Sequence, residues 1–291
     1  MKQKQKQNSE LADFVSQFRE NRTALVGAAV ILLLVLVAIF APQLAPHNPI
    51  KASLGDRLSA PSEKYPLGTD HLGRCVLSRL LYGARISLAV GVVVVGVAAA
   101  VGVALGIISG FYGGVLDEII MRLVDAMLAF PSIFLALAIA GTLGPGLGNV
   151  MIAIIVVEWT RYARVMRGSI LSVKENYYVE AARALGASDF YVVTQHILPN
   201  AIAPIIVVAT LGMAPVILAA TSLSFLGLGV QPPTPEWGMM LNDGRLFMRR
   251  APHLTTFPGV AIMITILAFN LLGDGLRDAL DPRARTEKEL R

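Results

Sequence analysis

Residues 174–200 read KENYYVEAARALGASDFYVVTQHILPN, and this polar stretch lies between long apolar runs of the chain. The residues before Gly186 are strong helix formers, and glycine ends or bends a helix because it adopts left-handed backbone angles without strain. Ser188 can cap a second short helix, and Pro199 requires that helix to stop or restart. The stretch, called the helix–glycine–helix segment below, therefore predicts a helical projection on the face of a membrane protein.

The composition is typical of a polytopic membrane protein. The chain has 291 residues, a mean hydropathy of +0.62, 55% hydrophobic residues and only 15% charged residues. A formal charge of +5 is compatible with nucleic-acid binding, but the basic residues lie mainly beside apolar segments. We therefore expect a topological role for them and no nucleic-acid partner. The single cysteine, Cys75, excludes an internal disulfide and a multi-cysteine metal cluster.

Six apolar segments predict an all-α fold with about six transmembrane helices. Their approximate bounds are 24–40, 86–108, 117–140, 149–162, 201–228 and 256–272. A signal peptide is the alternative for the first segment, but the long polar lead before it and the many later spans favour an uncleaved anchor. The second segment is rich in glycine and alanine, which predicts burial among other helices. Pro131 predicts a kink in the third.

Charged and aromatic residues mark the ends of the third and fourth segments. The third segment contains Glu118, Arg122 and Asp125 at helical spacing, which predicts a local ion network. In the fourth, Glu158 is expected to pair with Arg161 one turn later. Trp159 and Tyr162 are expected to mark a membrane interface. Local pairing explains these charges better than ion conduction does.

The distribution of basic residues predicts the orientation. With the N-terminus inside, 16 of the 25 basic residues fall in inner segments, which favours both termini and the helix–glycine–helix segment in the cytoplasm. The predicted organisation is a cytoplasmic tail with a short interfacial helix, a six-span region with two outer segments, and a second cytoplasmic tail. The bounds of these parts are 1–23, 24–282 with outer segments 42–81 and 229–253, and 283–291.

The helix–glycine–helix segment carries a resemblance to a known family. Glu180-Ala181-Ala182, Gly186 and Leu198-Pro199 resemble the EAA loop of the membrane subunits of bacterial ABC importers. The alternative is an ordinary solvated loop between helices. The resemblance implies that the segment is the coupling helix that docks into an ATPase subunit, through Glu180, Ala181, Ala182, Arg183, Gly186, Ala187, Leu198 and Pro199. His196 departs from the family, which often has an aliphatic residue there.

Two outer stretches resemble signatures of the peptide and nickel branch of these permeases. The matching residues are Gly68, Thr69, Asp70, Gly73, Arg74, Ser78 and Arg79, followed by Pro235, Glu236, Trp237 and Gly238. Cys75 departs from the branch, which usually has aspartate there. Physically, Asp70 is expected to cap a helix whose three arginines ride at the membrane surface, at positions 74, 79 and 85.

The resemblance implies a type I ABC importer permease fold and a set of partners. These are a homologous second permease subunit, two cytoplasmic ATPase subunits, an extracytoplasmic solute-binding protein and the lipid of a bacterial inner membrane. No G-x-x-x-x-G-K-[ST] sequence is present, so the chain binds no cofactor by a P-loop, and ATP with magnesium is expected on the partner ATPases. The chain itself is then not an enzyme.

The sequence leaves two alternative classes of membrane protein to consider. A secondary transporter or channel is expected to show repeat symmetry and mid-membrane ionisable groups, whereas most charges here lie near the ends of spans. A membrane enzyme needs convergent polar groups, and the four histidines are far apart without an H-E-x-x-H sequence. Both alternatives are disfavoured relative to an importer driven by external ATPases.

The cargo is predicted to be di- or oligopeptides, with chelated nickel as the alternative. Some local variants resemble nickel permeases more closely, although peptide systems are the commoner members of the branch. His71 and Cys75 are spaced i, i+4, so on a helix they could offer two ligands to a soft or borderline metal. Two ligands make a weak site, and a surface histidine beside a packed cysteine is the favoured interpretation.

Overall fold

The computed structural model describes residues 16–280, which form helices and no strand. The helices are α1 (Arg22–Ile39), α2 (Val76–Tyr112), α3 (Gly114–Leu128), α4 (Ser132–Leu143), α5 (Leu147–Lys174), α6 (Tyr177–Ala184), α7 (residues 189–201), α8 (Ala203–Phe225), α9 (Trp237–Arg245) and α10 (His253–Leu280). Two shorter helical pieces, Ala41–Leu44 and Leu54–Asp56, lie in the long segment between α1 and α2. Of the predicted tail and interfacial helix, residues 16–20 are helical. Residues 1–15 and the predicted tail 283–291 lie outside the described residues.

The membrane-length helices confirm an all-α polytopic protein. By length and hydropathy, α1, α2, α8 and α10 can each cross a membrane. The α3–α4 pair, bent by 92°, has the length and composition of one further broken span or of a re-entrant loop. The helix α5 has 28 residues but is more polar, since its second half carries three arginines and a lysine. The sequence therefore located the apolar segments well, although the spans run past several of the predicted ends.

The third predicted span is a broken pair of helices and not one kinked helix. Pro131 adopts an extended conformation with ψ of 123° and precedes the first residue of α4. Proline has no N–H to continue the ladder of α3, and its ring fixes the backbone at that point. The helix α3 ends at Leu128, and the extended backbone at Pro131 turns the chain before α4 begins.

Close packing between α2 and α5 forms the centre of the bundle. A Cβ at Gly102 would lie 2.5 Å from the carbonyl oxygen of Trp159, and one at Gly106 would lie 2.7 Å from that of Ala163. Small residues therefore let the two backbones approach closely, as the sequence predicted for the second segment. Trp159 and Tyr162 are 8% and 0% exposed. The prediction that they mark a membrane interface is wrong, because both side chains are buried inside the bundle, where Tyr162 packs against Gly102 of α2 and Gly212 of α8.

The helix α1 packs against α10. A Cβ at Gly27 would lie 2.7 Å from the carbonyl oxygen of Ala268, so the two backbones are in close contact. Asn21 caps α1 by accepting a hydrogen bond from the N–H of Ala24 at 3.1 Å, and its amide donates to Asp278 at 3.3 Å. The cap and the glycine contact together fix the start of the first membrane helix to the end of the last one.

The charges of α3 form pairs within and between helices. Arg122 pairs with Glu118 at 2.7 Å, as the spacing predicted. Asp125 does not join this pair and instead accepts a hydrogen bond from Arg164 of α5. The predicted local network is therefore divided, because α5 runs alongside α3 and supplies a competing arginine.

A second contact between these helices joins Asp117 to Arg167 through two hydrogen bonds of 2.6 Å. By contrast, Glu158 and Arg161 form no ion pair within 4 Å, nor does either pair with another side chain in residues 16–280. The prediction of a Glu158–Arg161 ion pair is therefore wrong. Both side chains face an open cavity beside α5.

Candidate functional site

The helix–glycine–helix segment has the geometry that its sequence predicts. Gly186 has φ of +82°, the left-handed conformation that glycine adopts without strain. Its N–H donates to the carbonyl of Arg183 at 2.9 Å, and the N–H of Ala187 donates to that of Ala182 at 3.1 Å. These two bonds are those of a Schellman motif, which closes α6. Ser188 then caps the next helix by accepting from the N–H of Tyr191 at 3.4 Å.

The sequence predicted that the second helix of the segment would stop or restart at Pro199, and the structure shows a restart. Residues 192–197 have π-helical bonding, and the N–H of Leu198 donates to the carbonyl of Val193, five residues back. Proline offers no N–H to the preceding turn, and a wider turn accommodates this loss. The segment therefore continues into α8 with only a short break.

Buried side chains hold the segment to the body of the protein. Val179, Val192 and Ile197 are each 0% exposed. At its start, Lys174 donates to the carbonyl of Gly110 at 3.0 Å, and the guanidinium of Arg183 lies 4.8 Å from the ring centroid of Phe111. Since both contacts are made to the end of α2, the segment is a fixed projection at that end of the bundle.

The eight predicted coupling residues divide into an inner and an outer group. Ala182, Ala187 and Leu198 are partly buried and pack on the hydrophobic core. The outer group is exposed and consists of Glu180, Ala181, Arg183, Gly186 and Pro199. The structure thus brings the predicted residues together in one projection, but only the outer group is free to meet another protein.

Three large exposed side chains of the projection were missed by the sequence reasoning. Tyr177 is 89% exposed, Leu185 is 88% exposed and Phe190 is 79% exposed. Large apolar groups in water are unfavourable, and a cluster of them indicates a binding surface. Their presence in a polar stretch was the signal that could have identified them.

His196 connects the two helices of the projection. Its ring centroid lies 6.2 Å from that of Tyr178 on α6 and 5.6 Å from that of Tyr191 on α7. Although it departs from the usual aliphatic residue, His196 therefore packs between two aromatic rings.

At the other end of the bundle, three signature residues, Asp70, Arg74 and Arg79, form a cluster with Asp243 of α9. Arg74 Nε lies 2.6 Å from Asp70 Oδ2, and Arg74 Nη2 lies 3.2 Å from Asp243 Oδ2. Arg79 lies 3.5 Å from Asp70 and 3.8 Å from Asp243. Both arginine side chains are only 2% exposed. We call these four residues the charge cluster, and its formal charges cancel.

The expectation that Arg74 and Arg79 ride at the membrane surface is therefore wrong, whereas Arg85 is exposed. Asp70 is not a helix cap either, because α2 begins at Val76 and its N-cap position is Cys75. Asp70 instead accepts hydrogen bonds from the backbone N–H groups of Leu72 and Arg74, both at 2.9 Å. These bonds close a turn and orient the carboxylate toward the arginines.

The second signature stretch packs onto the first turns of α2. Trp237 Nε1 donates to the carbonyl of Leu80 at 3.0 Å, and a Cβ at Gly83 would lie 2.8 Å from the indole. Glu236 caps α9 by accepting from the N–H groups of Gly238 and Met239, both at 2.9 Å. Glu236 is 3% exposed, and its burial raises the pKa of the carboxyl group above its ordinary value.

The remaining signature residues serve turns and close contacts. Gly68 and Gly73 have φ near +75°, at +76° and +74°. A Cβ at Gly73 would lie 1.8 Å from the carbonyl oxygen of Ser53, so no side chain fits. Ser78 accepts from the N–H of His47 at 3.0 Å. Thr69 and Pro235 are buried.

Arg79 also joins distant backbone segments. Its Nη1 donates to the carbonyls of Pro49 at 3.3 Å and Pro233 at 3.2 Å. The cavity beside the charge cluster has only about 10 Å³, which leaves room for no more than about one water. The signature residues therefore brace the loops before α2 and α9 and do not form an open ligand site.

The proposed metal ligands are not arranged as a site. Residues 71–75 precede α2, so His71 and Cys75 do not share a helix face. The ring of His71 stacks on Phe247 with centroids 5.5 Å apart, and Cys75 is 2% exposed. Within residues 16–280, no group of three or more potential ligands is close enough to hold a metal ion.

Fold and site together define a polytopic α-helical membrane subunit with a fixed projection at one end and braced loops at the other. Residues 102–286 match the family described as binding-protein-dependent transport system inner membrane component, and residues 9–61 match the N-terminal transmembrane domain of oligopeptide transport permease C. The chain therefore belongs to the inner-membrane permeases of binding-protein-dependent ABC importers, in the dipeptide and oligopeptide branch. This family consists of transport permeases and not enzymes.

Similar proteins and structures agree with this family. The chain is 48% identical over 274 residues to the glutathione transport system permease protein GsiD of Escherichia coli O6:K15:H31 and to that of Shigella boydii serotype 4. Each alignment covers 94% of this chain and 90% of the relative. The fold is similar to the inward-facing MetNI methionine ABC transporter, with a TM-score of 0.57, 18% identity and coverage of 70% of this chain and 98% of that chain. An amino acid ABC transporter with histidines gives a TM-score of 0.52, 14% identity and coverage of 68% and 92%.

Proposed function

We propose that this chain forms half of the translocation pathway of an ATP-driven importer of short peptides, including peptides of the glutathione type. The family and the glutathione permease relatives support a peptide cargo. A nickel chelate, the alternative cargo, gains no specific support from these relatives. The pathway is completed by a homologous second permease, and an extracytoplasmic solute-binding protein delivers the peptide.

The exposed apolar groups on a rigidly held projection carry this proposal. Tyr177, Leu185 and Phe190 lie on the helix–glycine–helix segment, and Glu180 on the same segment is exposed. Such a surface fits an apolar groove with a polar rim, and in this proposal the groove belongs to one of two cytoplasmic ATPase subunits. Both termini of the chain then also lie in the cytoplasm.

The anchoring of the segment explains how ATPase motion would reach the membrane. Lys174 and Arg183 attach the projection to the end of α2, and α2 packs closely on α5 along Gly102 and Gly106. Movement of the ATPases would therefore turn the packed helices as a rigid body and alternate access to the pathway. The chain needs no ATP of its own, and ATP with magnesium is bound by the partners.

Uptake by cells that lack this chain tests the cargo. We expect loss of uptake of labelled glutathione or a labelled dipeptide, and its return when the chain is expressed again. Uptake of radiolabelled nickel should be unchanged. Loss of nickel uptake with peptide uptake intact would overturn the peptide assignment, and unchanged uptake of all three would overturn the importer role for these cargoes.

A further inference from the structure

An open cavity of about 410 Å³ lies between the α3–α4 break, α5 and α8. The first wall of the cavity is formed by Leu128 and Ser132, which lie before and after the break between α3 and α4. The second wall contains Glu158 and Arg161 of α5, and the third contains Pro215 of α8. This volume lies within the range of sites that hold small molecules, which is about 300–1,000 Å³.

The cavity lies beside the midpoints of two helices, α5 and α8. Glu158 and Arg161 flank the midpoint of α5, which has 28 residues from Leu147 to Lys174. Pro215 lies near the middle of α8, which has 23 residues. The first wall lies at the 92° bend between α3 and α4. Broken helices are tolerated in membrane proteins where they line a cavity.

Of the three charged side chains that line the cavity, Arg164 is paired, whereas Glu158 and Arg161 have no close partner among the described residues. The two following arginines of α5 are neutralised by aspartates of α3, in the pairs Arg164–Asp125 and Arg167–Asp117. Within residues 16–280, the side chains of Glu158 and Arg161 make no hydrogen bond and no ion pair within 4 Å, and the two charges interact only at longer range. Ionisable groups without partners inside a membrane protein are unfavourable and indicate a functional site.

We propose that Glu158 and Arg161 form a contact site for a short zwitterionic peptide during its passage. The carboxylate of Glu158 complements the ammonium group of the peptide, and the guanidinium of Arg161 complements its carboxylate. Ser132 adds a hydroxyl group at the start of α4, where the helix dipole favours an anion. Leu128 and Pro215 supply apolar surface for the peptide side chains. This inference deepens the proposed function and rests on it.

Site-directed labelling of the complete importer tests the site. Cys75 is the only cysteine of the chain, so Cys75→Ser gives a background in which Ser132→Cys is the single thiol of this subunit. A charged methanethiosulfonate reagent should label Ser132→Cys, located by mass spectrometry of this chain. Labelling should be lost with excess S-methylglutathione or dialanine, whichever the wild-type complex takes up. Leu246→Cys, at an exposed position that is not part of the cavity lining, is the control and should be labelled equally with and without peptide.

Charge variants test the two recognition groups independently of labelling. In Glu158→Gln and Arg161→Gln, we expect peptide uptake to fall by at least about tenfold, because a desolvated charge of the cargo then lacks its partner. Arg122→Gln removes an exposed charge whose ion pair among residues 16–280 is with Glu118, and neither uptake nor basal ATP hydrolysis should change.

The results separate this inference from the proposed function. If the wild-type complex takes up neither peptide, the proposed function fails. If it transports peptide while Ser132→Cys is unreactive or unprotected, or while both charge variants transport normally, only the cavity site fails. Reduced uptake in the charge variants without peptide protection would assign Glu158 and Arg161 to contact with the second permease, which would also overturn the site.

Discussion

Arg74 and Asp243 form an ion pair of 3.2 Å although 169 residues separate them in the chain. The arginine lies in the loop before α2, and the aspartate lies on α9. Asp70 and Arg79 complete a cluster without net charge. Because Asp243 lies on α9, which begins at Trp237 of the second signature stretch, the pair connects the first stretch to this helix. The three signature residues of this cluster are therefore explained by folding of the loops before α2 and α9.

Removing one member of this cluster should destabilise the protein. In Asp243→Ala, two buried arginines share one carboxylate, and the loss should be about 3–5 kcal/mol. The thermal denaturation midpoint of the purified complex measures the effect. The double variant Arg74→Met with Asp243→Leu leaves Asp70 paired with Arg79, and its loss should be much smaller. An equal loss in both variants would contradict the cluster as the cause.

A change at Gly186 should uncouple transport from ATP hydrolysis. No atom of residues 16–280 lies within 4 Å of a Cβ placed there. Gly186→Val therefore acts through the φ of +82°, a conformation that a β-branched residue resists. We expect uptake to be lost with the chain still inserted in the membrane. Gly186→Asn is the matched control, because asparagine tolerates left-handed angles, and it should retain most uptake. Normal uptake by Gly186→Val would refute the coupling role.

The exposed apolar residues of the projection should be required for binding the ATPase. Leu185→Asp should prevent co-purification of the ATPase subunits while leaving the fold intact, since the side chain is 88% exposed. Leu246→Asp is a matched control at a leucine that is 81% exposed near α9, and the ATPases should remain bound. Co-purification that is unaffected by Leu185→Asp would exclude this face as the interface.

The orientation predicts which residues react from each side of the membrane. In the Cys75→Ser background, Ser188→Cys should react with a membrane-impermeant reagent only from the cytoplasm. Thr234→Cys should react only from outside. Glu236 is unsuitable for this purpose because it is 3% exposed, whereas Thr234 is exposed. Reversed reactivity would contradict the topology.

Local features of the fold were predictable from the sequence. The residues that close α6 and cap α7, Gly186 and Ser188, act on bonds within a few residues of themselves. By contrast, the burial of Arg74 depends on Asp243, and no local pattern indicated that partner. Likewise, the spacing of Glu158 and Arg161 allowed a pair, but the cavity made by α3, α4 and α8 decides where they point. Long-range packing therefore accounts for most of the errors.

The most direct test is transport by the reconstituted importer in proteoliposomes. The complex contains this chain, the second permease, two ATPase subunits and the binding protein. We predict that labelled peptide accumulates inside only when ATP is supplied on the ATPase side, and that omission of this chain abolishes accumulation. Accumulation without ATP, or counterflow of peptide by liposomes that contain this chain alone, would contradict the account and favour a secondary transporter.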